Sequence, residues 1–170
     1  MKYFLDTEFM EKPCTIDLIS IGIVSEVGEK FYAINKDCNL NNASKWVIEN
    51  VLKPMPQYDY KNNAWRNDFN VFVMSKKKIK ETILDFIKDD KPEFWAYYSD
   101  YDWVVFCWLF GAMIDLPKNF PMYCRDLKQE IDRLGIVDIP IDQTNEHNAL
   151  SDALWVKNVA EYIVTNYGIL

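Results

Sequence analysis

A chain of 170 residues with 49 % hydrophobic and 15 % aromatic side chains can fill a sizeable core, which excludes a disordered segment and predicts a single domain over residues 1–170. Its formal net charge of -7 excludes holding nucleic acid by a broad basic surface, though not gripping a strand end through metal ions and a few local contacts. The start Met1–Asp6 lacks the apolar core of a signal peptide, and no uncharged apolar run approaches the roughly 18 residues of a membrane span, so a cytoplasmic protein with no membrane partner is expected.

Tyr3 to Phe9 is predicted as a strand, being crowded with aromatic and branched apolar residues. Alternation puts Asp6 and Glu8 on one face. Two carboxylates in an apolar segment either face water from an edge strand or hold a divalent cation between them, since hard cations take oxygen ligands. Glu11 to Thr15 reads as a polar turn. Ile16–Val24 and Lys30–Ile34 flank Gly28, whose permissive backbone suits a turn, and with the first strand they predict an antiparallel three-strand meander. Ser44 is the expected N-cap of a helix through Trp46 to about Leu52, stopped by Lys53-Pro54. Pro54 to Met74 is predicted as a long excursion, and a loop of that length often serves function.

Ser75 opens a helix with Ile79, Ile83, Leu84, Phe86 and Ile87 on one stripe. Its leading lysines (Lys76, Lys77, Lys78, Lys80) read as a solvated face, with phosphate binding the lesser alternative. Pro92–Tyr98 is expected as a buried strand, Asp100 to about Met113 as a helix, Met122–Cys124 as a short strand, Arg125–Leu134 as a helix ended by Gly135, and Glu146–Tyr167 as the last helix. A meander followed by alternating helices and strands predicts a mixed α/β sheet with helices packed on it. Cys14, Cys38, Cys107 and Cys124 form no CxxC pair and read as reduced thiols.

Asp102 opens an apolar helix just beyond a strand. It is either a helix cap, a role Asp100 fits better, or a ligand at the strand end where open α/β sheets bind substrates. His147 is the only histidine. It is an incidental residue or a general base, because imidazoles titrate near neutrality. Five residues on, Asp152 would point about 140° away on one continuous helix, so both serve one site only if His147 precedes the first turn.

Asp6-Thr7-Glu8, Asp102, and His147-x-Ala149-x-x-Asp152 together resemble, in order and spacing, the three motifs of the DEDDh 3′-to-5′ exonucleases. Tyr3-Phe-x-Asp6-Thr-Glu8-Phe9, Thr15-Ile-Asp-Leu-Ile-Ser-Ile-Gly22, Trp46-Val47 with Asn50-Val51-Leu52, and Trp95-Ala-Tyr-Tyr98 with Tyr101-Asp102 narrow the resemblance to the ribonuclease AS exoribonucleases. That resemblance implies a ribonuclease-H-like fold, a homodimer, and removal of nucleotides from 3′ ends of single-stranded RNA with an adenylate preference. It also implies two magnesium ions, replaceable by manganese, held by Asp6, Glu8, Asp102 and Asp152, with His147 as general base and Phe9 and Met10 walling the terminal base. Trp46 is expected to pack in the core, or else to join that wall, and Arg66 is a candidate phosphate contact. The rival expectations are a DNA exonuclease, an RNA trimmer indifferent to adenine, or a binding module without the reaction.

Overall fold

We describe a computed structural model covering residues 1–66, 72–88 and 90–168. Three strands, β1 (Lys2–Lys12), β2 (Thr15–Ser25) and β3 (Lys30–Asn35), form the expected antiparallel meander. Gly28, at φ 92°, sits in the turn where its N–H donates to the Ser25 carbonyl. Ser44 accepts from the Val47 N–H and opens α1 (Lys45–Val47), which continues as a π-helical turn, Ile48–Leu52.

The long excursion has structure of its own: a small hairpin, β4 (Tyr58–Asp59) with β5 (Ala64–Trp65), then β6 (Val73–Met74), parallel to β3 at the sheet edge. Residues 67–71 of that excursion lie outside the described residues. Ser75 caps α2 (Lys76–Ile87) by accepting from Lys78 N–H. On α2, Lys76 pairs with Asp17 at 3.2 Å and Lys78 with Glu81 at 3.9 Å, in keeping with a solvated face. After β7 (Glu93–Ala96) come α3 (Asp100–Cys107), β8 (Arg125–Asp126), α4 (Leu127–Leu134) and α5 (Ala149–Tyr167). Gly135 and Gly168, at φ 66° and 73°, supply the left-handed residues that end α4 and α5.

The sheet order is β6-β3-β2-β1-β7-β8, with β1, β7 and β8 mutually parallel. Alternation along β1 sends Tyr3 and Leu5 toward α2 and α3, where Ile79, Ile83, Phe94 and Phe106 complete a core. Phe4 packs on the other side with Val156, Val159 and Ile163 of α5 and Leu127 of α4. Met10 lies in a third cluster with Val47, Val51 and Leu52.

Four sequence expectations shift. The α3 cap position is Ser99, not Asp100, and its side chain makes no cap bond because it donates to Asp126 instead. Helix α3 ends at Cys107 rather than Met113; Gly111, at φ 130°, then turns the chain against Asp115. The strand expected at Met122–Cys124 lies at Arg125–Asp126, where Asp126 also caps α4, so that helix starts at Leu127. Helix α5 begins at Ala149 rather than Glu146, capped by Asn148 accepting from Ser151 N–H.

Candidate active site

Strand β1 is hydrogen-bonded to β7 only over Lys2–Phe4, so its outer edge is free beyond that point. The start of α3 fills this gap. Asp102 Oδ1 accepts from the Thr7 backbone N–H at 2.8 Å, a donor that a longer β7 would have taken, and from Thr7 Oγ1 at 2.5 Å. Asp6 and Glu8, on the opposite pleat from Thr7, meet Asp152 of α5. One carboxylate oxygen from each of these three lies within 4.8 Å of the other two.

Helix α5 reaches this depth because Gly22, the β2 partner of Asp6, has no side chain. A Cβ built there would stand 2.2 Å from the Ala149 carbonyl oxygen and 2.5 Å from Leu150 Cα. Ala149 and Ala153 are themselves fully buried, so small residues on both elements bring the helix start onto the strand.

The electrostatics follow from this crowding. Glu8, Asp102 and Asp152 are 9 %, 6 % and 6 % exposed. Burial first, then the charges of Asp102, Glu8 and Asp152, push the Asp6 carboxyl well above the carboxylate range. Burial and the charges of Asp152 and Asp102 push Glu8 up to about 8. Asp102 is raised by burial to about 6, against the opposing bonds from Thr7. Asp152 is raised by burial too, and is opposed by Gln143 Nε2, which donates to its Oδ1 at 2.7 Å, and by His147. An all-oxygen set of crowded, buried carboxylates that favours protonation in isolation suits a hard divalent cation. Asp102 Oδ1 is held by both donors of Thr7, and Asp152 by Gln143 and by the backbone of His147 and Asn148, all of them neutral.

His147 precedes the first turn of α5, at φ 63°, as the spacing to Asp152 requires. Its ring stands edge-on to Trp46, centroids 4.9 Å apart. Trp46 is 55 % exposed, which overturns its expected place in the core: the interior side of α1 is already filled by Val47. Phe9, Met10 and Trp46 instead line one cavity of ≈ 220 Å³ with Glu11, Asn42, Ser44 and Val47. Arg66 is not among the residues lining that cavity. Its Nε donates to the Tyr58 carbonyl, tying it to the β4–β5 hairpin.

Two contributors escape a reading of the sequence. Gly22 shows its purpose only when α5 lies on it, and Gln143 sits in a polar loop with nothing in its spacing to link it to Asp152.

The 3′-5′ exoribonuclease Rv2179c-like domain model matches residues 1–164. The 3′-5′ exoribonuclease Rv2179c of Mycobacterium tuberculosis H37Rv is 35 % identical over 156 residues, covering 90 % of this chain and 87 % of that protein. The chain belongs to this exoribonuclease family. Among solved structures, the zinc-bound complex of E. coli exonuclease I with single-stranded DNA superposes with a TM-score of 0.65 at 14 % identity over 98 % of the chain. S. pombe Pop2p in its magnesium- and manganese-bound form gives 0.58 at 17 %, covering 98 % of this chain and 84 % of Pop2p. The chain spans only 41 % of the exonuclease I chain. These likenesses establish the ribonuclease-H-like exonuclease fold that the sequence implied.

Proposed function

We propose that this domain is a DEDDh-type, divalent-metal-dependent exoribonuclease that removes nucleoside 5′-monophosphates from 3′ ends of single-stranded RNA. The observation that supports it best is the convergence of Asp6, Glu8 and Asp152 within 4.8 Å, with Asp102 pinned to the intervening Thr7. Together these four would hold two divalent ions, magnesium or in its place manganese. Ions bound there supply Lewis acidity that makes water a nucleophile at neutral pH and offset charge on the departing oxygen.

The chain's own groups do the rest. An imidazole nitrogen of His147 accepts a proton from the attacking water as the phosphorus–O3′ bond breaks. Trp46 holds that ring from its edge and, with Phe9 and Met10, walls the cavity for the 3′-terminal base. Thr7 and Gln143 fix the orientation of Asp102 and Asp152. Adenylate preference and a homodimeric state are carried by the resemblance to ribonuclease AS.

The test is a panel of labelled oligo-A, oligo-U, oligo-C and oligo-deoxy-A, with magnesium or with chelator. The expected product is a one-nucleotide ladder from the 3′ end, fastest on oligo-A and absent with chelator. Equal rates on the RNA members would remove the adenine preference, and cleavage undiminished by chelator would remove the metal. Calorimetric titration of manganese is expected to saturate, and light scattering to report a dimer.

A further inference from the structure

Helix α3 buries Asp102, Trp103, Val105, Phe106 and Cys107, yet its outward side is apolar as well. Tyr101, Val104 and Trp108 follow one another at i, i+3 and i+7 and are 53 %, 36 % and 47 % exposed. A helix apolar on both sides has something covering its outer one. Tyr101 and Trp108 form one wall of a ≈ 480 Å³ groove; the other wall is the tip of the β1–β2 hairpin, Glu11 to Ile16. That is room for a small ligand such as a nucleoside.

The groove continues from the active site. Glu11 lines both this groove and the cavity of Phe9, Met10 and Trp46. Tyr101 adjoins Asp102 in the chain, and its ring meets Phe9 edge-on at 5.8 Å. The register of β1 against β2 slips between Glu8 and Phe9, directly after the carboxylates. A bulge bends its strand, and the hairpin tip beyond this one faces α3 across the groove.

We infer that this groove is the track for RNA upstream of the scissile bond. With the 3′-terminal base between Phe9 and Trp46, the strand crosses the Phe9–Tyr101 edge and stacks a base on Trp108. The inference rests on the exoribonuclease reading of the carboxylate site. Exposed indole and phenol rings stack any base of a single strand, whereas a duplex hides its base faces. The lining has a single lysine, Lys12, whose Nζ donates to Asn42 Oδ1 at 2.9 Å, set beside Glu11, so stacking rather than phosphate neutralisation carries the contact, in keeping with a chain of net charge -7.

Tyr101 touches Phe9, so Trp108 is the cleaner probe. Hydrolysis of a dinucleotide and of a long oligoadenylate by Trp108→Ala and Trp108→Phe is the experiment. The alanine variant is expected to raise KM for the long substrate by roughly 5- to 150-fold, with a salt dependence like that of the parent. The dinucleotide should be unaffected, and phenylalanine should restore most of the loss. Equal losses on both substrates, or none on the long one, overturn the track. So does a loss accompanied by a change of oligomeric state, which would give this face to a second copy of the chain. A readout free of turnover and of variant folding uses the wild-type protein with calcium and oligomers carrying 4-thiouridine a few positions from the 3′ end. Photo-adducts are expected on the hairpin tip or on Tyr101–Trp108; adducts only elsewhere, or none, count against the track. Adducts in the groove from a protein that also leaves RNA intact in magnesium would overturn the catalytic reading and leave the groove standing.

Discussion

A carboxylate shut away from water takes up a proton or finds a cation, and Asp6, Glu8 and Asp152 have both options within reach of one another. This makes the same substitution helpful to folding and ruinous to function. Asp6→Asn removes one of the crowded charges. The variant should melt above the parent in chelator near pH 8, and should lose the magnesium-dependent rise in melting temperature together with activity. A parent-like magnesium response in Asp6→Asn would contradict its place as a ligand. His147 makes the opposite case. It is not one of the proposed ligands, so His147→Ala should leave melting and manganese binding close to the parent while kcat falls on the order of 10²-fold or more. Full activity in that variant would end its role as base. The Asp-Thr-Glu pattern made the pair on β1 legible because alternation alone puts Asp6 and Glu8 together. The place of Trp46 was not legible, since aromatic rings are usually buried and nothing in its neighbours says that Val47 has taken the interior position.

Helix α5 can deliver Asp152 and His147 only by lying on bare backbone at Gly22. Gly22→Ala puts a methyl group 2.2 Å from the Ala149 carbonyl oxygen, a backbone atom that cannot swing aside as a side chain could, so the helix start has to move. The expected cost is about 1–3 kcal/mol of stability by denaturant melts, with a fall in kcat of about 10²-fold as ligands shift by about an ångström. Unchanged activity would mean that the helix start tolerates displacement. Ser75→Ala is the control at this scale: it removes the α2 cap, far from the site in the chain, and should cost about 1 kcal/mol while leaving kcat alone. The caps at Ser44 and Ser75 and the glycine stops at Gly135 and Gly168 could be read directly, because each acts through its nearest neighbours. The starts of α4 and α5 could not. Asp126 divides its two oxygens between the α4 cap and Ser99, a contact 27 residues apart in the chain, and Asn148 rather than Glu146 holds the α5 start by a bond from Ser151.

For the molecule as a whole, these raised pKa values become a pH dependence of stability. Glu8 titrates near 8 when folded against an ordinary 4.5, and Asp102 near 6 against 3.8, so the folded state binds these protons more tightly than the unfolded chain. Below the ordinary values both states are protonated and neither group affects stability. As pH rises from about 4 through about 8, folding must oppose ionisation at these groups, so the metal-free protein should lose stability across that window. Divalent ions relieve the same repulsion, so the gain in melting temperature on adding magnesium should widen as pH rises. Scanning calorimetry in chelator and in magnesium checks both, and a metal-free protein that grows more stable toward pH 8 would contradict the charge crowding described for this site. The packing of α5 on Gly22, which brings Asp152 to the carboxylates of β1, has a consequence for synthesis. Ribosomes make Asp6 and Glu8 long before Asp102, His147 and Asp152, so a nascent chain cut short of Asp102 would carry two of the four proposed ligands and lack the proposed base. On the proposed ligand set, an RNA-degrading domain built this way stays inert toward the message encoding it until α5 has been made.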